Sequence, residues 1–231
     1  MNDADALPLA DTVHKPVGVI MLDTRFPRPV GDIGNPATWP FPVLYETVRG
    51  ATARCAVRGG GEGLLEPFAQ AGRRLVARGA GCLTTSCGFL APFAPVLAER
   101  CGVPVAASSL QQVPWVAATL PRGRTVGVLT IAASALTPAI LAAAGVPRET
   151  PVGTLEDGTF ADTILNDLAA LDTMAAEREH VAAARALVAA HPALGAIVLE
   201  CTNMPPYAAA IASETDLPVF SIVTLVAWLR G

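Results

Sequence analysis

The chain has 231 residues, of which 52% are hydrophobic and 16% charged, and its formal net charge is −4. This length can form one large domain or two half-sized ones, and the acidic balance without a basic cluster argues against nucleic-acid binding. The apolar stretch from Leu217 to Leu229 is too short to cross a bilayer, and residues 1–15 lack the apolar core of a secretory signal. We therefore expect a cytoplasmic protein with no membrane partner, reduced cysteines, and an apolar surface that favours a homo-oligomer.

The first half of the chain alternates predicted strands with predicted helices. A proline-rich and glycine-rich stretch, residues 26–42, predicts a long ordered loop after the first strand. Such a loop lies over a cleft or forms an oligomer contact, and the sequence leaves both interpretations open. The other predictions are a flexible leader at 1–15, a strand at 17–22, a short strand or helical turn at 43–48, a strand at 53–57, a helix at 62–78 and a strand at 103–107.

The second half repeats this alternation. Residues 110–120, interrupted by Pro114, link the halves. The predictions that follow are a strand at 125–131, a helix at 135–144 capped by Ser134, a loop at 154–160, helix throughout 161–190 as two helices or a kinked one, and a closing run at 223–229. Strands alternating with helices predict an α/β fold of two parallel-sheet halves, with the active site in the cleft between them. We place the first half at 16–113, joined by a C-terminal helix at 223–231, and the second at 114–222.

Two stretches of the sequence are copies of each other. Residues 81–106 superpose without a gap on residues 195–220, so that Cys87 aligns with Cys201, Pro92 with Pro206 and Pro104 with Pro218. In each copy an apolar run ends at the cysteine, as a buried parallel strand would end at the edge of the sheet where ligands bind. Two such ends related by a pseudo-twofold axis predict two thiols, Cys87 and Cys201, facing one small substrate.

Two opposed thiols suit the removal of a proton from one face of a carbon and its return to the other. This is racemisation or epimerisation without a cofactor, and a cysteine at the start of a helix gains the thiolate character that it needs. The carbanion formed needs hydrogen-bond donors near the strand ends. The candidates are Thr24, Thr85, Ser86, Thr130, Thr202 and Asn203. The other cysteines, Cys55, Cys82 and Cys101, are interpreted as small buried hydrophobes.

Cofactors and metals are not expected. The one lysine, Lys15, precedes the first strand and is poorly placed for a pyridoxal phosphate Schiff base. The three histidines lie away from the repeated strand ends, and no Cys-x-x-Cys pair is present to hold zinc. Gly59-Gly60-Gly61 follows no convincing phosphate-loop strand and is interpreted as a connection.

The stretches Thr85-Ser86-Cys87-Gly88-Phe89 and Glu200-Cys201-Thr202-Asn203-Met204-Pro205-Pro206 resemble the two cysteine motifs of the aspartate/glutamate racemase superfamily. The resemblance extends from Val17 to Leu229. It implies a cofactor-independent enzyme of two similar α/β halves, with Cys87 and Cys201 as the acid/base pair on either side of a small carboxylate. The positions at which it implies contact with the substrate are Asp23, Thr24 and Thr130, and to these we add Gly88, which follows the first cysteine.

The sequence also departs from the superfamily pattern. Glutamate racemases have Cys-Asn-Thr where Cys87-Gly88-Phe89 stands and Cys-Thr-His where Cys201-Thr202-Asn203 stands. The missing amide and histidine argue against glutamate as the substrate, and retention of both cysteines argues against an arylmalonate decarboxylase, which keeps one. Glu200 replaces a small residue, and its charge would raise the pKa of Cys201 unless it points elsewhere or binds a cationic substrate.

Three hypotheses follow. The first is an amino-acid racemase or epimerase that uses both cysteines. The second comes from a resemblance to a branch of the superfamily that contains an algal dimethylsulfoniopropionate lyase, in which a cysteine removes a proton and a sulfonium leaves to give acrylate. A cationic head group of this kind suits a nearby carboxylate or aromatic ring, and the candidates are Asp23, Asp32, Glu200, Trp39 and Tyr207. The third is a carboxylate-binding protein with inert cysteines.

Overall fold

A computed structural model of the protein describes residues 15–230. The predicted leader, residues 1–15, lies outside the described residues except for Lys15. Eight parallel strands form two four-stranded sheets in the described part of the chain, with the orders β2-β1-β3-β4 and β6-β5-β7-β8. The strands are β1 Val17–Leu22, β2 Val43–Val48, β3 Cys82–Thr85, β4 Val105–Ala106, β5 Thr125–Thr130, β6 Val152–Thr154, β7 Leu194–Leu199 and β8 Val219–Phe220.

The central strands of both sheets are nearly continuous apolar runs, because helices cover both of their faces. All residues of β1 and β3 are buried, as are five of the six residues of β5 and of β7. The helices are α1 Ala53–Val57, α2 Leu65–Ala77, α3 Ala94–Cys101, α4 Val113–Thr119, α5 Pro138–Ala143, α6 Thr159–Leu165, α7 Thr173–Ala190, α8 Ala208–Thr215 and α9 Ile222–Arg230. The predicted fold class, α/β with two parallel-sheet halves, is confirmed.

The internal repeat is visible in the element bounds. Helix α8 begins and ends 114 residues after α3, and β8 lies 114 residues after β4. Equal strand order and equal spacing place the carboxyl ends of β3 and β7 at equivalent edges of their sheets. The two cysteines follow directly after these ends.

The last helix of the described chain packs against the first sheet. Ile222, Leu225 and Val226 of α9 share a buried cluster with Val17 and Val19 of β1, and α9 contacts both β3 and β4. This packing supports the proposal that the closing segment joins the first half.

Several predicted elements need correction. Residues 53–57 form helix α1 and not a strand, because the Thr52 hydroxyl accepts a hydrogen bond from the Cys55 amide and caps a helical turn. The helix predicted at 135–144 begins only at Pro138, with Thr137 as its cap, while Ser134 lies in the 3-10 turn Ala133–Ala135.

Other bounds differ by shorter lengths. The predicted loop at 154–160 contains the end of β6 and the start of α6, and the helical stretch 161–190 divides into α6 and α7 around residues 166–172. Residues 43–48, for which two interpretations were open, form a strand, and α4 lies within the predicted link at 110–120. None of the helices in residues 15–230 combines the length and the apolarity needed to cross a membrane.

Candidate active site

Cys87 and Cys201 line the same small cavity. Each lies two residues beyond the last residue of its strand, β3 or β7, and their exposed fractions are 6% and 5%. The cavity has a volume of about 20 Å³, so it is closed in this state. The repeat therefore places both thiols where the sequence analysis expects them, although their catalytic role is a proposal.

Hydroxyl groups beside the cysteines form hydrogen bonds at the strand ends, and one of these bonds, from Thr202 to Ser86, joins the two halves. The Ser86 hydroxyl oxygen accepts a hydrogen bond of 2.8 Å from the Leu22 amide, and the Thr202 hydroxyl donates one of 2.8 Å to the Ser86 carbonyl. The Thr85 hydroxyl lies 2.8 Å from the Ala107 carbonyl and 3.0 Å from the Cys87 carbonyl, to which it can donate. Because backbone atoms of the protein accept from Thr85 and Thr202, these two expected donors fix the strand ends and have no proton to spare for a substrate.

The loop at 26–42 covers the cavity and binds the second cysteine segment. Asp32, which is 1% exposed, accepts hydrogen bonds of 2.7 Å from the Arg28 guanidinium and from the Asn203 amide group. The Ile33 amide donates to the Thr202 carbonyl at 3.3 Å. The loop follows β1 of the first half but is hydrogen-bonded to the second half.

Glu200 lines the same cavity as the two cysteines. It is completely buried, and its Oε2 accepts a hydrogen bond of 2.8 Å from the Thr130 hydroxyl, while its Oε1 has no partner. A Cβ atom at position 88 would come within 2.2 Å of Oε1, so Gly88 leaves the space that the Glu200 side chain fills. Burial raises the pKa of the Glu200 carboxyl to about 8, because the charged form is poorly solvated there.

Burial also raises the pKa of both cysteine thiols, and the nearby Glu200 carboxylate adds to the increase. The backbone amides of Phe89 and Leu90 favour the Cys87 thiolate but do not outweigh burial. The expectation that the helix start gives these cysteines thiolate character is therefore wrong for the closed cavity. The Cys201 thiol lies 3.4 Å from the Asn203 side-chain oxygen, to which it donates.

Some expected site residues lie elsewhere. Asp23 is exposed and accepts a hydrogen bond from the Gly50 amide, so its side chain faces away from the cavity. The Thr24 hydroxyl accepts from Arg28 and does not line the cavity. Trp39 packs into the cluster beneath the loop, and Tyr207 packs against the rings of Phe160 and His180.

The sequence analysis missed much of the cavity wall. Arg28 and two aromatic residues, Phe26 and Phe89, line the cavity together with an apolar set: Leu22, Ala53, Val57, Ile131 and Ile164. Phe89 stands in the first cysteine motif of the family resemblance, which was the available signal for it, whereas Phe26 stands at the start of the loop at 26–42. Among residues 15–230, no three His, Cys, Asp or Glu side chains are grouped so that they could hold a metal ion.

Solved structures with this fold include decarboxylases and racemases. A mutant of arylmalonate decarboxylase superposes with a TM-score of 0.61 and 17% identity over 93% of this chain and 91% of its own. Glutamate racemase from Bacillus anthracis gives 0.57 and 18% over 94% and 82%. An aspartate racemase homologue from Pyrococcus horikoshii gives 0.56 and 14% over 94% and 100%. This chain therefore shares the fold of these decarboxylases and racemases.

Among curated proteins, this chain resembles dimethylsulfoniopropionate lyases in sequence. Dimethylsulfoniopropionate lyase 3 of Emiliania huxleyi is 30% identical over 96% of this chain and 60% of its own length. The lyase of Durusdinium sp. clade D is 27% identical over 94% of this chain and 75% of its own. The chain thus spans about 60% of the length of the Emiliania relative, and no protein-family model matches it. The resemblance to the superfamily branch with dimethylsulfoniopropionate lyases is confirmed.

Proposed function

We propose that this protein is a cofactor-independent lyase that eliminates a neutral sulfide from a small sulfonium carboxylate of the dimethylsulfoniopropionate type. The observation that carries the proposal is that two buried thiols share one closed cavity whose wall is largely apolar and aromatic. The relatives named above support the choice of substrate class, because each is a dimethylsulfoniopropionate lyase.

The cavity wall suits a sulfonium better than an ammonium group. An ammonium needs three hydrogen-bond acceptors, whereas among the described residues that line the cavity, Glu200 supplies the one buried side-chain oxygen without a partner. A dimethylsulfonium needs no acceptor, and its methyl groups can contact the rings of Phe26 and Phe89, which also attract its charge. The carboxylate end of the substrate needs donors, and Arg28 and the Asn203 amide line the same cavity.

A cationic substrate also favours the thiolate form of the cysteines, which burial disfavours. Burial raises the pKa of both thiols and so keeps them neutral, and a positive charge nearby lowers a thiol pKa. One thiolate then takes the proton from the carbon beside the carboxylate, and the freed electron pair forms a carbon–carbon double bond. The carbon–sulfur bond breaks with its electron pair on sulfur, which leaves as neutral dimethyl sulfide and gives acrylate. The base loses its own proton to solvent while the substrate enters the open cavity, and it ends the cycle as the neutral thiol that holds the substrate's proton.

The test is turnover by the purified protein in D2O with dimethylsulfoniopropionate, followed by proton NMR for vinyl signals and by headspace analysis for dimethyl sulfide. Cys87→Ala and Cys201→Ala are compared with Cys55→Ser, which changes an exposed thiol away from the cavity. We expect a wild-type rate for Cys55→Ser and a loss of at least about 10²-fold for the cysteine that acts as base. Unchanged turnover in both alanine variants would contradict the proposal.

A second candidate is the racemase or epimerase, which the presence of a thiol from each half favours. A two-base racemase needs both cysteines, because one removes the proton and the other returns it, so both alanine variants would be equally inactive. An elimination needs one base, so the two variants would differ. Exchange of the α-proton of an amino acid without a vinyl product would identify the racemase, and no reaction with either substrate class would favour the binding-protein hypothesis.

We also propose, from composition, that the protein is cytoplasmic and forms a homo-oligomer. Size-exclusion chromatography with light scattering tests the second point.

A further inference from the structure

No positively charged side chain among residues 15–230 pairs with the carboxyl group of Glu200. Glu200 is 0% exposed, and its hydrogen-bond partner is the uncharged Thr130 hydroxyl. The arginine that lines the same cavity, Arg28, forms a 2.7 Å ion pair with Asp32. An ionised Glu200 would therefore be a buried charge without a counter-charge, which is costly, whereas a neutral carboxylic acid is tolerated.

The hydrogen bonds fix where the proton of a neutral Glu200 sits. The Thr130 hydroxyl oxygen accepts from the Ala132 amide at 3.3 Å, and its own proton is donated to Oε2 of Glu200. Oε2 is thus the acceptor oxygen, and Oε1 carries the proton. Oε1 is the atom without a partner, and it occupies the space that the missing side chain of Gly88 leaves beside Cys87.

We propose that Glu200 is a catalytic residue that enters the reaction as a neutral acid and donates a hydrogen bond from Oε1 to the carboxylate of the substrate. This inference rests on the proposed removal of a proton beside a carboxylate. As the carbon loses its proton, negative charge moves onto the carboxylate oxygens, and a donor already in place stabilises that charge. The proton stays on Glu200, so no acid or base is consumed at this residue.

A neutral Glu200 also allows a thiolate to form at a neighbouring cysteine. An ionised carboxylate beside them opposes formation of a thiolate, as the increase that it causes in both thiol pKa values indicates. The neutral acid removes this repulsion. The remaining titratable groups that face the cavity are the two thiols and the Arg28–Asp32 pair, since α1 and α6 contribute the apolar side chains of Ala53, Val57 and Ile164.

The first experiment compares Glu200→Gln, which keeps a donor of the same size, with Glu200→Met, which does not. With dimethylsulfoniopropionate we expect kcat of Glu200→Gln within about tenfold of wild type and kcat of Glu200→Met lower by about 10²–10³-fold. On the wild-type pH profile of kcat/KM, ionisation of Glu200 limits the rate above pH about 8, and this limit is absent in Glu200→Gln. Equal losses in both variants with an unchanged profile would overturn the inference.

A second measurement does not depend on turnover. The infrared difference spectrum of wild type minus Glu200→Gln, at pH 6 in D2O, should contain the carbonyl band of a protonated carboxylic acid, and propionate should shift this band to lower frequency. Glu149→Gln, which changes an exposed carboxylate, should leave the band in place. Carboxylate bands alone, or no shift with propionate, would overturn the inference. If the protonated band is present and shifts but no substrate reacts, the proposed function fails, while Glu200 stands as a neutral donor to a bound carboxylate.

Discussion

At the scale of single residues, Asp32 joins segments that are far apart in the sequence. Its two oxygens accept from the Arg28 guanidinium and the Gly34 amide on the loop, and from the Asn203 side chain beside the second cysteine. The exposed fractions of the Arg28 and Asp32 side chains are 13% and 1%, so water does little to screen this pair. The pair thus fixes Arg28, which lines the cavity, relative to Cys201.

Replacing Asp32 with Asn should lower the free energy of unfolding by about 3 kcal/mol, because the Arg28 cation stays buried without its counter-charge. Urea denaturation measures this change. Glu66→Gln is the control, since it breaks ion pairs between exposed side chains and should leave the urea midpoint nearly unchanged. Equal stability of Asp32→Asn and wild type would show that the pair does not hold the loop.

The sequence predicted the two cysteines that line the candidate site but only part of the wall around them. Cys87 and Cys201 could be found because the repeat and the strand ends place them at equivalent positions. Arg28 could not be found in the same way, since its position depends on how a loop without periodic pattern folds back over the sheet edge. The orientation of Asp23 could not be predicted for the same reason. Its side chain accepts a hydrogen bond from the Gly50 amide and does not face the cavity.

At the scale of elements, the loop at 26–42 is positioned by a close backbone contact. Gly31 has a φ of +102°, and a Cβ atom there would come within 2.8 Å of the Pro206 backbone in the second half. Both the backbone conformation and the contact require glycine. The loop therefore lies on the second half because this position has no side chain.

Gly31→Ala should detach part of the loop, because the added methyl group collides with the Pro206 backbone. We expect faster amide hydrogen exchange within residues 26–42 and a higher KM for the substrate. Gly50→Ala is a matched control: Gly50 also has a positive φ, +77°, but a Cβ atom there would meet nothing within 4 Å. Faster exchange at 26–42 in both variants would mean that backbone strain alone accounts for the effect.

Element type was predictable wherever apolar periodicity was long enough. The buried strands β1, β5 and β7 follow from their apolar runs, whereas the five residues of α1 are too few to separate a strand from a helical turn. The hydrogen-bonded cap at Thr52 makes residues 53–57 a helix, and the cap at Thr137 sets the start of α5 at Pro138. Local hydrogen bonds of this kind are not encoded in hydrophobic pattern.

At the scale of the whole molecule, the cavity of about 20 Å³ between the two halves has no room for a sulfonium carboxylate, so the proposed reaction requires this cavity to open. Asp167 connects them at the edge of the cavity. Its carboxylate accepts from the backbone amides of Arg25 and Phe26, and the bond to Phe26 is 3.0 Å long. Phe26 itself lines the cavity, so this contact closes the site directly.

Asp167→Gly should favour the open state, because it removes the acceptor while glycine tolerates the φ of 53° at this position. We expect a maleimide reagent to label Cys87 and Cys201 several-fold faster, with the exposed Cys55 as internal reference, as measured by mass spectrometry. Asp216→Gly is the control, since Asp216 has the same φ of 53° at the end of α8. Unchanged labelling in Asp167→Gly would show that another contact limits opening.

The packing of α9 on the first sheet has a consequence for biosynthesis. Residues Val17 and Val19 bury their side chains against Ile222, Leu225 and Val226, and these partners leave the ribosome about 200 residues after them. During translation, all four strands of the first sheet are therefore made long before α9. One face of this sheet stays uncovered while the second half is synthesised. The newly made chain must keep this apolar face out of contact with other chains until its last helix arrives.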